Sequence, residues 1–129
     1  MMKIFAIGAG GCVGAIGRYA ISRYVTYLCP QSDFPYGTLV VNVLGCLLIG
    51  ILTAVMDARP LVNAEIRPLL VVGFLGAFTT FSTFGYETLH SLEAENYLGS
   101  TANICTNVVL GILAVWSGRT LVQMLTGYC

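Results

Sequence analysis

Residues 73–84 read GFLGAFTTFSTF, so four hydroxyl side chains follow two glycines within an uncharged stretch of the chain. Glycines loosen a helix, and in lipid nearby hydroxyls can satisfy the backbone groups that lose their helical partners. A break in a helix at mid-membrane is tolerated only where protein buries it or where it lines a cavity. Carbonyl oxygens exposed at a break suit a small hard cation. Phe81 and Phe84 share one helix face there. Phenylalanines in a membrane usually pack or face lipid, but beside these hydroxyls they also fit a polar path.

Polar side chains recur at helical spacing in two other uncharged stretches. Thr38 and Asn42 lie four residues apart in one stretch, and Asn103 and Asn107 lie four apart in another, so each pair shares a helix face. Polar groups are costly inside a membrane and often mark a functional path. An amide there also serves as hydrogen-bonding glue between helices, and the sequence leaves both roles open for the asparagines.

Charged side chains within or beside these stretches are few. Glu87 is the one carboxylate inside an apolar stretch, and the single histidine, His90, follows it by about one helical turn. The two form no recognisable catalytic set, so we expect no enzymatic activity and interpret them as a pair in the headgroup region. Arg18 and Arg23 could raise the local anion concentration at a vestibule. Snorkelling to the lipid headgroups is the alternative for both arginines.

The elements that carry these residues are expected to be transmembrane helices. Hydrophobic residues make up 57% of the 129 residues and charged ones 9%, against about 25% charged in soluble domains. A soluble domain this short could not bury so much apolar surface. Turn-forming residues separate four apolar stretches, about 4–28, 37–57, 67–90 and 97–122, each able to cross a bilayer as a helix. The sequence therefore predicts one transmembrane domain over residues 1–129, an all-α membrane protein of four transmembrane helices with the third broken at mid-membrane.

The charge distribution leaves the orientation of the chain in the membrane open. With four spans, both termini lie on one side together with Lys3, Arg59, Arg67 and Arg119, while Arg23 lies on the other. Orientation follows the excess of Lys and Arg in short loops, and this excess is slight, so the sequence is compatible with insertion in both directions. The net charge is zero and the six basic residues are scattered, so we expect no nucleic-acid partner. The five cysteines show no metal-ligand spacing.

Three motifs resemble, in order and spacing, those of the small fluoride channels, the Fluc or CrcB family. They are GRY at 17–19, GTLVVN at 37–42, and GFLG at 73–76 running into TTFSTF at 79–84. The four-span layout agrees as well, so the resemblance covers almost the whole chain. It implies a passive, fluoride-selective channel that passes several times through the cell inner membrane, exports fluoride from the cytoplasm and reduces fluoride toxicity. The implied partners are fluoride, the lipid bilayer and a second copy of the chain.

The resemblance also implies an assembly and a set of site residues. Family members form antiparallel, dual-topology homodimers with two fluoride pores, and main-chain carbonyls, here those of Gly76 and Thr79, hold a structural sodium ion at the dimer centre. The pore residues carried over are Phe81, Phe84, Asn42, Thr38, Ser82, Thr83, Glu87 and Asn107, and Arg18 is the vestibule candidate named above. The chain departs from the family at Ala77, Gly85 and Asn107, where glycine, serine and serine respectively are frequent.

Two other functions are compatible with a small four-helix membrane protein. A small proton-coupled multidrug exporter, also a dual-topology dimer, needs a membrane-buried carboxylate, for which Glu87 is the one candidate within the spans. A non-transporting assembly subunit would use the polar residues only as glue between helices. An ion-flux assay separates this last function from both kinds of transporter.

Overall fold

The structure, a computed structural model, describes residues 1–58 and 66–127, and the regular elements within those residues are all helical. In chain order they are α1 (Met2–Leu28), α2 (Tyr36–Ala58), α3 (Pro68–Leu75), α4 (Gly76–Phe78), α5 (Phe81–Glu93) and α6 (Tyr97–Thr126). The first part of the third span, α3, is wound as a π-helix and continues into the short turn α4. Arg59, which enters the charge count above, lies outside the described residues.

Four helical stretches of the described chain are long and apolar enough to cross a membrane. They are Met2–Leu28, Tyr36–Ala58, Pro68–Glu93 and Tyr97–Thr126. The shortest has 23 residues, whereas about 20 suffice to cross the hydrocarbon core. The third stretch combines α3, α4 and α5. The prediction of an all-helical chain with four helices of membrane-spanning length and composition is confirmed.

Burial is distributed as expected of a protein whose solvent is lipid. Val41, Ser100 and Asn103 are the largest of the fully buried side chains, and two of the three are polar. Large apolar side chains cover the outside, where Trp116 is 65% exposed and Phe5 is 75% exposed. In lipid, apolar side chains need no protein cover, while polar groups need hydrogen-bond partners. A functional site is therefore to be sought in the polar interior.

Glycines bring two pairs of helices into close contact. Helix α1 packs on α3, where a Cβ atom at Gly14 would overlap the backbone carbonyl of Phe74. Helix α2 packs along α6, where a Cβ atom at Gly50 would overlap the backbone carbonyl of Val115. Small residues let helix backbones approach closely in lipid, where packing and hydrogen bonds drive association. These contacts set the positions from which α2 and α6 direct their polar residues inward, and they place α3, which leads to the hydroxyl-rich motif.

The helical path of the third span is interrupted at Thr79 and Thr80. Helix α4 ends at Phe78, the backbones of Thr79 (φ −80°, ψ 158°) and Thr80 (φ −145°, ψ 112°) are extended, and α5 begins at Phe81. Extended residues cannot continue the helical hydrogen-bond ladder, so the backbone groups around them need other partners. The hydroxyl-rich motif therefore falls where the helix is interrupted.

Candidate functional site

Asn42 of α2 caps the interrupted backbone. The N–H of Thr80 donates to Oδ1 of Asn42 at 2.9 Å, and Nδ2 of Asn42 donates to the carbonyl of Thr80 at 3.3 Å. The hydroxyl of Thr79 donates to the carbonyl of Leu75 at 3.0 Å. Because an unsatisfied backbone group in lipid is very costly, these bonds make the extended residues tolerable.

Three hydroxyls cluster at the start of α5. Oγ1 of Thr80 accepts from the N–H of Thr83 at 3.2 Å, so Thr80 is the N-cap of the helix. The same Oγ1 donates to Oγ1 of Thr83 at 2.8 Å and lies 3.5 Å from Oγ of Ser82. The helix dipole and the first N–H groups of a helix favour negative charge at this end. Two residues of the predicted hydroxyl track, Ser82 and Thr83, thus lie beside the interruption.

Aromatic rings and amides meet along a groove of 410 Å³. Its walls include Asn42, Asn107, Thr80, Phe81 and Phe84. The ring centroids of Phe81 and Phe84 are 5.6 Å apart and the ring planes are inclined by 49°. Phe81 is 84% exposed in the single chain, so one side of the groove is open. The fold therefore brings both phenylalanines named from the sequence to the amides of Asn42 and Asn107.

A second cavity, of 380 Å³, carries positive charge. Arg18 and Arg23 of α1 line it together with Thr38 and Thr83, and Thr80 lines both this cavity and the groove. A concave surface with two cations, and with no carboxylate among the described residues of its wall, concentrates anions. Arg18, the vestibule candidate, therefore shares a cavity with hydroxyls that lead to the groove.

Glu87 lines neither the groove nor the arginine cavity. Its Oε1 accepts from Oγ1 of Thr38 at 2.7 Å, and its Oε2 is buried without a hydrogen-bond partner in the described part of the chain. Glu87 lines a cavity of 460 Å³ that also contains Asp33 and His90. Glu87 and His90 share this wall without an ion pair between them. Thr38 connects the carboxylate to the arginine cavity, because it contacts the former and lines the latter.

The carbonyl groups of Gly76 and Thr79 lose the partners that a continuous α-helix would supply. Those partners would be the N–H groups four residues further on, at Thr80 and Thr83. In the structure the N–H of Thr80 donates to Asn42 instead, and the N–H of Thr83 donates to Oγ1 of Thr80. Gly76 and Thr79 both line the groove. Oxygen ligands are those that hard cations prefer, so the donor set that the resemblance assigns to sodium fits such an ion.

A chain of hydrogen bonds runs from Asn42 through α6 to α5. Nδ2 of Asn42 donates to Oδ1 of Asn107 at 3.0 Å, and Nδ2 of Asn107 donates to Oδ1 of Asn103 at 2.9 Å. Nδ2 of Asn103 donates to Oγ1 of Thr88 at 2.9 Å, and Thr88 donates to the carbonyl of Phe84 at 2.7 Å. Sequence reasoning misses Thr88, although its spacing of four residues from Phe84 places the two on one helix face.

Comparisons of the sequence with known proteins identify a family and named relatives. Residues 5–119 match the family described as CrcB-like protein, Camphor Resistance (CrcB). The chain is 43% identical over 125 residues to the Fluoride-specific ion channel FluC of Dehalococcoides mccartyi. These 125 residues are 97% of this chain and 95% of the relative. It is 44% identical over 115 residues to the protein of that name from Campylobacter lari (89% and 93% covered). It is 40% identical over 128 residues to Fluoride-specific ion channel FluC 1 of Methanosarcina acetivorans (99% and 96% covered).

Proposed function

This chain belongs to the CrcB-like family, and on that basis we propose that it is a fluoride-selective ion channel. It is a multi-pass membrane protein, and relatives that it covers almost completely are named fluoride-specific ion channels. One observation carries the proposal. The amide of Asn42 lies in one groove with the rings of Phe81 and Phe84, beside the hydroxyls that begin α5.

Fluoride is small and strongly hydrated, so its path must replace water with other donors, as carbonyl rings replace the water of cations. Asn42 supplies N–H bonds, and Thr80, Ser82 and Thr83 supply hydroxyls. An aromatic ring has a positive edge and a negative face, so the edges of the phenylalanines favour an anion that can approach them closely. A larger anion such as chloride fits this set of donors less well, and the channel excludes it.

The anion path begins in the arginine cavity. Arg18 and Arg23 raise the local concentration of anions there, and Thr80 joins this cavity to the groove. Thr38 lines the arginine cavity, and its hydroxyl holds the Glu87 carboxylate beside the path at 2.7 Å. Flow along the path is passive and leads out of the cytoplasm across the cell inner membrane. Its effect is to reduce fluoride toxicity.

The open side of the groove supports a dimer. A second, antiparallel copy with dual topology would cover Phe81, which is 84% exposed in the single chain, and would provide a second pore. In this assembly the interruption at Thr79 and Thr80 lies at mid-membrane. A two-fold axis beside it would bring together the carbonyls of Gly76 and Thr79 from both copies as ligands of a structural sodium ion. The ion would supply positive charge that holds four carbonyl dipoles in place.

The carboxylate of Glu87 raises a second candidate, a small proton-coupled exporter. Its Oε2 is buried and unpartnered in the described part of the chain, and a membrane-buried carboxylate is what proton coupling requires. The carboxylate lies in a different cavity from the groove of Phe81 and Phe84. The position of Glu87 outside the groove therefore favours the channel over the exporter.

The direct test is fluoride efflux from liposomes that contain the purified protein, followed with a fluoride electrode. A channel releases fluoride down its gradient without a pH gradient, whereas a proton-coupled exporter depends on one. A non-transporting subunit gives the rate of protein-free liposomes. Efflux at that background rate, with the protein shown to be reconstituted, would refute the proposed function.

A further inference from the structure

Asn103 lies at the middle of the hydrogen-bond chain that joins α2, α6 and α5, and it does not line the groove. Its side chain is 1% exposed. Its Oδ1 accepts from Asn107 at 2.9 Å and its Nδ2 donates to Thr88 at 2.9 Å. We propose that Asn103 is a positioning residue of the anion path, which orients the Asn42 amide through Asn107 and holds the turn of Phe84 through Thr88. The inference rests on the proposed fluoride channel and adds a residue that does not touch the anion.

Backbone groups fix the direction of the hydrogen-bond chain at its two ends. The N–H of Thr80 can only donate, so Oδ1 of Asn42 faces it at 2.9 Å. The carbonyl of Phe84 can only accept, so the Thr88 hydroxyl points to it and offers its lone pairs to Asn103. An amide has one acceptor oxygen and one donor nitrogen, so a flip of any amide in the chain would place like groups against each other. Each amide orientation therefore depends on its neighbours.

The Asn42 amide needs that support, because one of its two N–H bonds is weak. The bond to Oδ1 of Asn107 is 3.0 Å long, while the bond to the carbonyl of Thr80 is 3.3 Å, longer than the common value of about 2.9–3.0 Å. An anion in the groove can take the place of the longer bond, since hydrogen bonds to an ion are stronger than neutral ones. A flipped Asn42 would instead present its oxygen to the groove and repel the anion.

Asn103 supports Asn42 from one helix away. It holds Nδ2 of Asn107 twice, with its backbone carbonyl at 3.0 Å and with Oδ1 at 2.9 Å. Asn107 in turn directs its Oδ1 to Asn42. The Asn107 amide therefore donates to Asn103 through its nitrogen and accepts from Asn42 through its oxygen.

Asn103 also connects the two walls of the path. Its hydrogen bond to Thr88 joins α6 to α5 one turn after Phe84. The Thr88 hydroxyl in turn donates to the Phe84 carbonyl at 2.7 Å. Thr88 is 8% exposed, so bulk water has little access to its hydroxyl. The Asn103 side chain therefore sets the distance between the Asn42 amide and the Phe84 ring.

The test is the unitary fluoride current of single channels in planar bilayers. A loss of stability lowers the number of active channels, whereas misplacement of Asn42 and Phe84 lowers the current through each one. We expect Asn103→Leu to lower the unitary fluoride current about tenfold, the effect of about one interhelical hydrogen bond in a membrane. Thr88→Val, which removes the link to Phe84 and leaves Asn103 in place, should lower it about threefold.

Ser100→Ala is the matched control. Ser100 lies on α6 about one turn before Asn103, is equally buried at 1% exposed, and bonds to the backbone carbonyl of Thr88 at 3.4 Å, but it is outside the chain that reaches Asn42. We expect its unitary current to stay within about twofold of wild type. In an Asn107→Ser background, Asn103→Leu should cost about threefold instead of about tenfold, because the Asn107 amide that it orients is already absent and only its link to Phe84 through Thr88 remains to be lost.

Three results would overturn the inference while leaving the channel intact: a wild-type unitary current in Asn103→Leu, an equal loss in Ser100→Ala, or full additivity with Asn107→Ser. If Asn103→Leu does not fold, Thr88→Val decides, and an unchanged current in that variant counts against the proposal. A wild-type protein that passes no fluoride current refutes the proposed function itself, and the positioning role with it.

Discussion

Aspartate at position 42 would exchange the donor of the groove for an acceptor while keeping the size of the side chain. The Thr80 N–H now donates to Oδ1 at 2.9 Å and can donate to a carboxylate oxygen in the same way, so the cap of the interrupted helix is retained. The other oxygen would take the place of Nδ2, which lies 3.0 Å from Oδ1 of Asn107 and 3.3 Å from the carbonyl of Thr80. Both of these atoms are acceptors, so the substitution removes two donated bonds and adds a negative charge.

The charge is the larger part of the expected effect. Two like unit charges about 4 Å apart repel each other by about 4 kcal/mol at an effective dielectric constant of about 20. Because about 1.4 kcal/mol corresponds to a factor of ten, occupancy by fluoride beside Asn42→Asp should fall by about three orders of magnitude. The lost donor adds to this effect, since a hydrogen bond to a charged group contributes about 1.5–3 kcal/mol. Fluoride flux through Asn42→Asp should therefore fall to the background of protein-free liposomes.

Fluoride efflux per reconstituted protein measures this effect, and size-exclusion chromatography shows whether the variant still assembles. Asn96→Asp is the matched control, because the same atom change occurs at the N-cap of α6, where Oδ1 of Asn96 accepts from the N–H of Gly99 at 2.9 Å. Aspartate caps a helix about as well as asparagine, so flux should stay within about twofold of wild type. An Asn42→Asp protein that elutes like wild type and releases fluoride at the wild-type rate would refute the reasoning.

Three further predictions follow from the same geometry. Phe81→Ile and Phe84→Ile should each lower fluoride flux at least about tenfold, because the aromatic edge is lost, and methionine at either site should not restore the flux fully. Wild-type flux in both isoleucine variants would place the path elsewhere. A cysteine introduced at Asp33, in the exposed loop after α1, on a background without the native cysteines should react with a membrane-impermeant thiol reagent from both sides of the membrane, whereas one-sided labelling would exclude dual topology. Replacing sodium by a larger cation throughout purification should impair dimer assembly or flux, because Gly76 and Thr79 offer only carbonyl ligands, and unchanged behaviour in both assays would argue against a structural ion.

The class of the protein and its four helices follow from features that a sequence displays directly. Apolar stretches of sufficient length, separated by turn residues, predict membrane-spanning helices regardless of their packing. The motif that contains Phe81 and Phe84 also indicates where helical geometry is hard to maintain, since hydroxyls and glycines occur together there. These are local properties, and local patterns suffice to predict them.

Contacts between helices are a different matter. The bonds from Asn42 to Thr80 and to Asn107 join residues that lie 38 and 65 positions apart. Helical periodicity tells which residues share a face, but the partner of that face depends on how the helices are rotated and stacked, which the close glycine contacts of α1 and α2 decide. For this reason the sequence leaves the roles of the asparagines open as glue or path. In the structure Asn42 both caps the backbone and lines the groove.

Glu87 shows the same limit. Its place late in the third span groups it with the polar residues of the path, yet its carboxylate lies outside the groove, in a cavity with Asp33 and His90 and in a smaller one that it shares with Thr38. Phe81 and Glu87 both lie on α5, but the six positions between them amount to about 1.7 helical turns, so the two side chains lie on different faces of the helix.

Anion selectivity tests the central proposal most directly. Purified protein in a planar bilayer, with fluoride salt on one side and chloride salt of equal concentration on the other, gives a current whose reversal potential reports which anion passes. A path of amide and hydroxyl donors flanked by the edges of Phe81 and Phe84 predicts a current carried by fluoride, with no measurable chloride current and a reversal potential far from zero. A reversal potential near zero, with comparable fluoride and chloride currents, would contradict the account.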